Sequence, residues 1–229
     1  DEVIAEVAPA FVGQFGGKGN VDKLREAFKQ LGFSGMEEVA LGADLCTIQE
    51  SEDFLEEVPE KIPFMGTSCC PAWSVMAKKE FPKNADCISM ALTPMTLTAR
   101  LIRKQHPNAK IVFVGPCSAK KLEAMRESVR SEVDFVLTFE EMAGMMSAKQ
   151  IDYTKLAGEG GDFDVASADG RGFAVAGGVA TAVANAIHKR YPEREVKVAN
   201  AEGLEECRKL MKDAVKGKYD GYLLEGMAC

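Results

Sequence analysis

The 229-residue sequence contains only two histidines and one tryptophan, and none of its apolar runs approaches the 18 residues typical of a membrane-spanning helix. It does not open with a basic stretch followed by an apolar one, so no secretory signal is visible. Its net charge of −7 disfavours nucleic acid and anionic membranes as main partners. We therefore expect a cytoplasmic protein with neither kind of partner.

The sequence also lacks several spacings on which common sites are built. No two cysteines are separated by two residues, the spacing typical of structural zinc sites. The glycines between positions 13 and 19 do not match a phosphate-binding loop, and no Ser-His-Asp or Cys-His arrangement can be recognised. The seven cysteines are an odd number in a chain without an export signal, which predicts reduced thiols available for metal binding or catalysis.

Short apolar runs alternate with helical patterns, which is typical of parallel α/β units. The predicted strands are Val3–Val7, Ile62–Met65, Ile111–Val114, Asp134–Leu137, Val196–Ala199 and Tyr219–Leu224. The predicted helices are Val21–Gln30, Asp44–Val58, one that begins at Pro71, one that ends at Ala148, Val179–Lys189 and Glu202–Val215. We predict an α/β fold of two lobes with mainly parallel sheets flanked by helices. The junction of the lobes is expected near residues 150–178, where the chain is rich in Gly and Asp.

Three cysteines follow predicted strands. Cys70 comes after Ile62–Met65, Cys117 after Ile111–Val114, and Cys229 after the last strand. Ligands of open α/β sheets bind beyond the carboxyl ends of the strands, so these thiols are expected to converge on one crevice. Predicted helices follow two of them, and a helix N-terminus stabilises a thiolate. Thiolates from several strand ends favour an iron–sulfur cluster over zinc; the alternative is that they are buried small side chains.

Other side chains near these cysteines have two interpretations each. Cys69 is adjacent to Cys70, and neighbours in extended backbone rarely face the same metal. Cys69 is therefore expected to have a separate role, such as proton transfer, or to be a second packed thiol. Lys120 lies near the start of the helix after Cys117, where it opposes the helix dipole, so it is predicted to bind an anion or, with Glu123, to be a solvated charge. The remaining cysteines are predicted to be packing or surface thiols: Cys46, Cys87 and Cys207.

Three segments resemble the signatures of FeFe hydrogenases and occur in the order of that family. They are TSCCPAW at 67–73, PCSAKKLE at 116–123 and EGMAC at 225–229, and weaker similarity covers most of the chain. Residues 1–229 thus resemble a single H-cluster domain of an FeFe hydrogenase, incomplete at its C-terminus within the third signature. The resemblance implies a cluster between the two lobes and the reversible reduction of protons to dihydrogen.

The cofactor that this resemblance implies is an H cluster. It consists of a 4Fe–4S cubane linked by a thiolate to a two-iron unit that carries carbon monoxide, cyanide and a dithiolate. The residues that match cubane ligands of the family are Cys70, Cys117 and Cys229. Those that match the pocket of the two-iron unit are Lys120, which pairs with an iron-bound cyanide, Met227, Ala8 and Pro9. A ferredoxin-like carrier or a fused iron–sulfur domain is the implied electron partner.

The resemblance also implies a route for protons. Cys69 matches the thiol that passes protons to the bridging dithiolate of the two-iron unit. The residues that resemble the rest of the path to the surface are Glu50, Ser89 and Glu123, with Asp53 in the place of a further carboxylate. Such a relay needs groups that come within hydrogen-bond reach of one another.

The sequence departs from the family at three places. The third signature of the family continues to a fourth cysteine, which joins the two subclusters, whereas this sequence stops at Cys229. Gly115 replaces the usual methionine before Pro-Cys, and Thr93-Pro94-Met95 replaces a common Ser-Pro-Gln. These differences favour a piece of a divergent or sensory member. Two rival hypotheses stay open: a hydrogenase-like, non-enzymatic 4Fe–4S protein for assembly, electron transfer or sensing, and an α/β binding domain without a cluster.

Overall fold

A computed structural model describes residues 1–15, 21–158 and 166–228. The glycine-rich segment 16–20, part of the expected lobe junction at 159–165, and Cys229 lie outside the described residues. The chain divides into two compact units, and each unit is made of two segments. The first unit comprises residues 1–42 and 94–167, and the second unit comprises residues 43–93 and 168–229.

Strands and helices alternate along the described part of the chain. The strands are β1 (Val3–Val7), β2 (Gly35–Glu38), β3 (Met65–Gly66), β4 (Lys110–Gly115), β5 (Phe135–Thr138), β6 (Lys197–Glu202) and β7 (Tyr222–Met227). The α-helices are α1 (Val21–Leu31), α2 (Val39–Glu57), α3 (Pro71–Glu80), α4 (Pro94–Gln105), α5 (Ala119–Met125), α6 (Phe139–Ala148), α7 (Ala168–Gly172), α8 (Gly178–Arg190) and α9 (Leu204–Ala214). None of the helices described is long and apolar enough to cross a membrane.

The first unit is built on a parallel sheet with the strand order β2-β1-β4-β5. The central strands β1 and β4 are rich in valine and isoleucine and are buried almost throughout, as expected for a parallel sheet with both faces covered. Their register pairs Val7 with Val114, so the carboxyl ends of two strands far apart in sequence meet at one edge. The main core of this unit includes Leu24, Phe28, Phe113, Phe139 and Met142.

The second unit is built on a parallel sheet with the order β3-β7-β6. The short strand β3 pairs Met65 with Leu223 of the central strand β7. Helices α3 and α9 contribute to a core that includes Phe64, Trp73, Met76, Leu210, Met211 and Leu224. Helix α8 contributes to a second cluster, which contains Phe54, Ala180, Val183, Ile187 and Leu223.

The predicted α/β class with parallel sheets flanked by helices is confirmed, but several element boundaries are wrong. β3 covers only the end of the predicted strand Ile62–Met65 and one further residue. β7 begins at Tyr222 rather than Tyr219, because the chain turns at Gly221, whose φ is +82°. Helix α2 begins at Val39 rather than Asp44. Strand β2 and helix α4 have no predicted counterpart; β2 has the sequence GMEE, which lacks an apolar run.

Candidate functional site

In the first unit, the carboxyl ends of β1 and β4 bring two sequence motifs together. The Ala8 N–H donates a hydrogen bond to the Val114 carbonyl (2.9 Å), which extends the β1–β4 pairing past the end of β1. Pro9 then begins a short 3-10 helix, while β4 continues into Gly115, Pro116 and Cys117. The Cys117 side chain is a half-buried free thiol. The predicted pocket residues Ala8 and Pro9 therefore lie at the same sheet edge as the second signature.

Gly115 has a packing reason to differ from the methionine common in the family. A Cβ atom on Gly115 would lie 2.6 Å from two ring carbons of Phe113 and 3.1 Å from the Ala8 Cβ. Carbon atoms in contact normally stay ~3.5–4.0 Å apart, so a larger side chain would have to displace the buried Phe113 ring. In this chain the Phe113 ring therefore occupies the space next to Gly115, near the predicted pocket residue Ala8.

Lys120 and Glu123 form a buried ion pair on α5. The Lys120 Nζ donates to Glu123 Oε2 at 2.7 Å, and the two residues are 9% and 3% exposed. The Thr96 hydroxyl lies 3.5 Å from the other Glu123 oxygen. The alternative prediction of solvated charges is wrong, because both side chains are withdrawn from water. An ammonium group carries a positive charge and three N–H donors, which is the chemistry that binding an anionic ligand requires.

Glu6, in the middle of β1, was missed by the motif search. It is 0% exposed, and neither of its carboxyl oxygens has a hydrogen-bond partner among the residues that the structure describes. Burial raises the pKa of Glu6 well above its ordinary value; the charge of Lys120 opposes this shift and that of Glu123 adds to it. The available sequence signal was a single glutamate inside the apolar strand VIAEV.

In the second unit, β3 and β7 bring the first and third signatures together. The Thr67 N–H donates to the Leu224 carbonyl (2.9 Å), and the Trp73 indole N–H donates to the Thr67 carbonyl (3.1 Å). A Cβ atom on Gly226 would lie 2.1 Å from the Trp73 ring, so this ring packs directly on the glycine backbone. TSCCPAW and EGMAC, which are far apart in sequence, thus share one edge of the second sheet.

Cys70 is the middle residue of the first signature and follows the end of β3. It is buried, has extended backbone (φ −95°, ψ 108°) and directly precedes Pro71, the first residue of α3. Its sulfur lies 3.5 Å from the Ala228 N–H, which donates to it. An N–H donor stabilises a thiolate over a thiol. The half-buried Met227 ends β7, and Cys229 lies outside the described residues.

The adjacent thiols of Cys69 and Cys70 face different surroundings. Cys69 is half-buried and packs against an apolar cluster formed by Ala43, Phe173, Val179 and Ala182. Cys70 instead belongs to the cluster that contains Trp73 and Leu224. Two side chains that point into separate clusters are suited to separate tasks.

Glu50 is a buried acid of the second unit that has both a strongly raised pKa and a defined hydrogen bond. It lies on α2, is 0% exposed, and accepts a hydrogen bond at Oε1 from the Ser68 N–H (2.7 Å), one residue before Cys69. Burial raises the pKa of Glu50 from 4.5 to about 7; the Ser68 amide and the Ser68 and Ser89 hydroxyls oppose the shift, and Asp53 adds to it. A carboxyl group with a pKa near 7 exchanges protons readily at neutral pH.

The other predicted proton-path residues of the second unit lie around Glu50. The Ser89 N–H donates to the Gly66 carbonyl (2.8 Å), which fixes Ser89 beside the end of β3. Asp53 is half-buried on α2 and accepts a hydrogen bond from the Gln49 amide group (2.8 Å). Glu123 belongs to the first unit, where it pairs with Lys120.

Glu225, in the third signature, has a structural task that the sequence did not reveal. It is 0% exposed, and its two carboxyl oxygens accept hydrogen bonds from the N–H groups of Gly177 (2.9 Å) and Ala180 (2.8 Å) at the start of α8. Burial raises its pKa, although the amide donors oppose the shift. Glu225 therefore satisfies helix N–H groups that would otherwise lack partners.

Within the described ranges, no three histidine, cysteine, aspartate or glutamate side chains gather into a metal site. Each unit does provide a free thiol at the carboxyl end of a parallel strand pair: Cys117 in the first unit and Cys70 in the second. The donor set fits iron–sulfur ligation in kind, because thiolates are the usual ligands of such clusters. Cys46, Cys87 and Cys207 are buried and form no disulfide, in agreement with the packing prediction.

Comparison with solved structures identifies the fold. The chain matches the apo FeFe-hydrogenase HydA1 from Chlamydomonas reinhardtii, in a variant form, with a TM-score of 0.78 and 22% identity, over 99% of this chain and 77% of that one. A second match, to an FeFe-hydrogenase structure on oxygen inactivation of the H cluster, has a TM-score of 0.78 and 23% identity, and covers 100% of this chain and 77% of that one. The fold is thus that of the FeFe hydrogenases.

Sequence comparison identifies the family. Residues 1–229 match the profile of the "Iron only hydrogenase large subunit, C-terminal domain", so the chain belongs to this family. It is 30% identical over 199 residues to Iron hydrogenase 1 of Clostridium pasteurianum, which covers 77% of this chain and 35% of that protein. It is 26% identical over an alignment of 282 residues to the NADP-reducing hydrogenase subunit HndD of Solidesulfovibrio fructosivorans, covering 99% of this chain and 48% of that one.

The family also includes relatives with another name. The chain is 32% identical over 142 residues to the "Cytosolic Fe-S cluster assembly factor NAR1" of Debaryomyces hansenii, covering 55% of this chain and 26% of that protein. The chain spans between 35% and 59% of the lengths of the first three hydrogenase relatives. Membership in the family is therefore compatible with catalysis and with a role in cluster assembly.

Proposed function

We propose that the chain is the H-cluster domain of an FeFe hydrogenase and that it takes part in the reversible reduction of protons to dihydrogen. The observation that carries this proposal is the buried Glu50, which has a pKa of about 7 and holds the Ser68 amide next to Cys69. A protein that only stores or transfers a cubane has no need of a proton-exchanging acid beside a second thiol.

The cofactor would be held by cysteine thiols. We propose Cys70, Cys117 and Cys229 as ligands of the cubane, and the Ala228 N–H donates to the Cys70 sulfur. When bound, the H cluster supplies the redox chemistry of hydrogen. The buried ammonium group of Lys120 is suited to bind an anionic cyanide ligand of the two-iron unit, because a charge-assisted hydrogen bond is stronger away from water. The remaining proposed pocket residues are Ala8, Pro9 and Met227.

The proton route would run through the second unit. We propose that Cys69 exchanges protons with Glu50, that the Ser89 hydroxyl continues the relay, and that Asp53, half-buried on the same helix, delivers protons toward the surface. Glu50 is suited to this task because its pKa is close to the pH at which it would work. For Glu123 we propose that it positions Lys120, since its carboxylate is engaged in the buried ion pair.

The second candidate function is that of a non-enzymatic 4Fe–4S protein for cluster assembly, electron transfer or sensing. The similarity to the assembly factor NAR1 favours it. This function needs the cubane thiolates but gives no physical reason for the buried Lys120 or for the raised pKa of Glu50. The second candidate function therefore predicts a protein that holds a cubane without a two-iron unit.

Infrared spectroscopy of the full-length protein, prepared without oxygen and supplied with a preformed two-iron cofactor, separates the two candidates. Bands of metal-bound carbonyl and cyanide together with hydrogen turnover are expected for the hydrogenase. Iron and sulfide contents that correspond to one cubane per chain, without those infrared bands, would establish the second candidate instead.

The variant Cys69→Ser tests the proton route. We expect it to keep the cubane and the infrared bands but to lose hydrogen turnover, by about 10²- to 10⁴-fold, as is typical when a proton-transfer group is removed. Cys207→Ser is the control, because Cys207 is a buried thiol outside the proposed proton route. Its sulfur already donates to the Ala201 carbonyl, as a serine hydroxyl could. Loss of the cubane in Cys69→Ser would show that Cys69, not Cys70, is the ligand.

We propose a ferredoxin-like carrier or a fused iron–sulfur domain as the electron partner. Hydrogen-dependent reduction of a purified ferredoxin, at rates that saturate with its concentration, is the expected result. We also propose a cytoplasmic location, which agrees with the six cysteines in the described part of the chain that form no disulfide. One relative is named as a periplasmic hydrogenase large subunit, so cell fractionation decides this point.

A further inference from the structure

Glu6 is a buried carboxyl group to which the proposed function assigns no role. It lies on the central strand β1, two residues before Ala8, and water does not reach it. Neither of its oxygens finds a partner among the described residues. Burying a polar group without a hydrogen bond costs roughly 1–3 kcal/mol or more, so such groups in native proteins usually have a partner that completes the site.

The charges around Glu6 determine its form. The charged groups that act on it are Lys120 and Glu123 of α5, and these already neutralise one another in their ion pair. A second carboxylate beside one ammonium group would leave the pocket with a net charge of −1. A pocket with that charge would repel an anionic ligand such as cyanide.

Among the residues that the structure describes, Lys120 is the cation whose charge acts on Glu6. In the β1–β2 register Glu6 lies opposite Glu37, which is exposed and is itself acidic. On the other side β4 pairs Phe113 with Glu6, and residues 111–115 of that strand are uncharged. On α4, Arg100 donates to the carbonyls of Val129 and Arg130, and Arg103 pairs with Glu132 and Asp134.

We propose that Glu6 holds a proton beside the Lys120–Glu123 pair and donates it in a second hydrogen bond to the anionic cofactor group that Lys120 binds. This inference rests on the proposed function. A carboxylic acid kept neutral by an apolar site is a strong hydrogen-bond donor, and the same principle operates in enzymes that hold an oxyanion with a protonated aspartate. Burial raises the pKa of Glu6, which agrees with this form.

Three variants test whether Glu6 donates a hydrogen bond or only fills space in the core. Glu6→Gln keeps a hydrogen-bond donor of nearly the same shape, and Glu6→Met keeps the volume but removes the donor. Glu37→Gln is the matched control, because Glu37 is the exposed register partner of Glu6 on β2. The full-length protein is loaded with the two-iron unit, and the cyanide stretching bands and the two-iron content per cubane are measured.

We expect Glu6→Met to shift the cyanide bands and to bind the two-iron unit about tenfold more weakly, which corresponds to one hydrogen bond to a charged group. The cubane content should not change. Glu6→Gln should restore most of the two-iron content, and Glu37→Gln should match the wild type. Wild-type bands and content in Glu6→Met would overturn the donor role.

Urea unfolding of the cluster-free protein tests the proton itself. A carboxyl group that is neutral in the folded state lowers the free energy of unfolding as the pH rises above the pKa of the group in the unfolded chain. The reason is that unfolding then releases the proton. Glu6→Gln should therefore gain in unfolding midpoint relative to the wild type between pH 5 and pH 9. The gain of Glu37→Gln should be smaller, because burial raises the pKa of the exposed Glu37 less than that of Glu6. A difference that is constant with pH would overturn the proposal.

The infrared measurements on the wild type and on the Glu6 variants also distinguish this inference from the proposed function. If the wild type itself shows no carbonyl or cyanide bands, the hydrogenase function fails, and the donor role of Glu6 fails with it. If the bands are present but respond to none of the Glu6 variants, the proposed function stands and the inference about Glu6 is wrong.

Discussion

Replacing Glu50 by glutamine should stabilise the protein at neutral and alkaline pH. Burial shifts the pKa of Glu50 from 4.5 to about 7, a difference of 2.5. Each pKa unit corresponds to about 1.4 kcal/mol, so ionising this group in the fold costs about 3 kcal/mol. Glutamine resembles the neutral acid in shape and avoids this cost, and its carbonyl can still accept the Ser68 N–H bond.

The sign of the effect follows from proton linkage. The folded protein holds the Glu50 proton more tightly than the unfolded chain, so this contribution to the free energy of unfolding is fully present below about pH 4.5. It is lost as the pH rises through about 7. Glu50→Gln should therefore match the wild type near pH 4.5 and exceed it by about 3 kcal/mol at pH 8.

Urea unfolding of the cluster-free protein, followed by Trp73 fluorescence at several pH values under reducing conditions, measures this difference. Glu52→Gln serves as the control, because Glu52 lies on the exposed face of the same helix, and it should leave the pH dependence unchanged. A Glu50→Gln advantage that is equal at pH 5 and pH 8 would refute the reasoning, because the carboxyl group would not then be held neutral by burial. In the loaded protein the same variant should lose hydrogen turnover despite its greater stability.

Three further predictions concern other contacts. Gly115→Met should lower the free energy of unfolding by about 1–3 kcal/mol, since its side chain must displace Phe113; a variant as stable as the wild type in urea would show that this space is open. Glu225→Ala should cost about 3 kcal/mol by leaving the part-buried N–H of Gly177 and the buried N–H of Ala180 unbonded at the start of α8. Unchanged hydrogen exchange at the start of α8 would contradict this. Lys120→Ala should reduce the two-iron content, measured by infrared, more than the cubane content; equal loss of both, or of neither, would count against cyanide binding.

Local sequence was sufficient to predict the helices and strands whose apolar pattern lies within the element itself. The helix Val21–Leu31 and the strands β1 and β4 were predicted to within about two residues, because apolar spacing and apolar runs report burial directly. Strand β2 was missed because GMEE has no such run, and its strand geometry comes from pairing with β1. The start of β7 was wrong because the turn at Gly221 depends on its bond to the Pro63 carbonyl, far away in sequence.

Motif spacing identified the residues of the candidate site but not their surroundings. Lys120 and Glu123 were left as either anion-binding or solvated residues, and only the packing of α5 in the first unit shows that they are buried together. Cys69 and Cys70 were expected to differ in role because they are adjacent. The structure adds that their side chains enter separate apolar clusters.

The sequence by itself determined the α/β class, the three hydrogenase-like signatures and the chemistry of the thiols. Tertiary structure decided what the buried acids do, because their hydrogen-bond partners come from segments distant in sequence. Glu6 and Glu225 both lie on parallel strands and are both fully buried. Glu225 meets two N–H groups of α8, whereas Glu6 meets only an ion pair that is already complete. The same side chain is thus a helix cap in one unit and a candidate proton holder in the other, because long-range packing sets the surroundings of a carboxyl group.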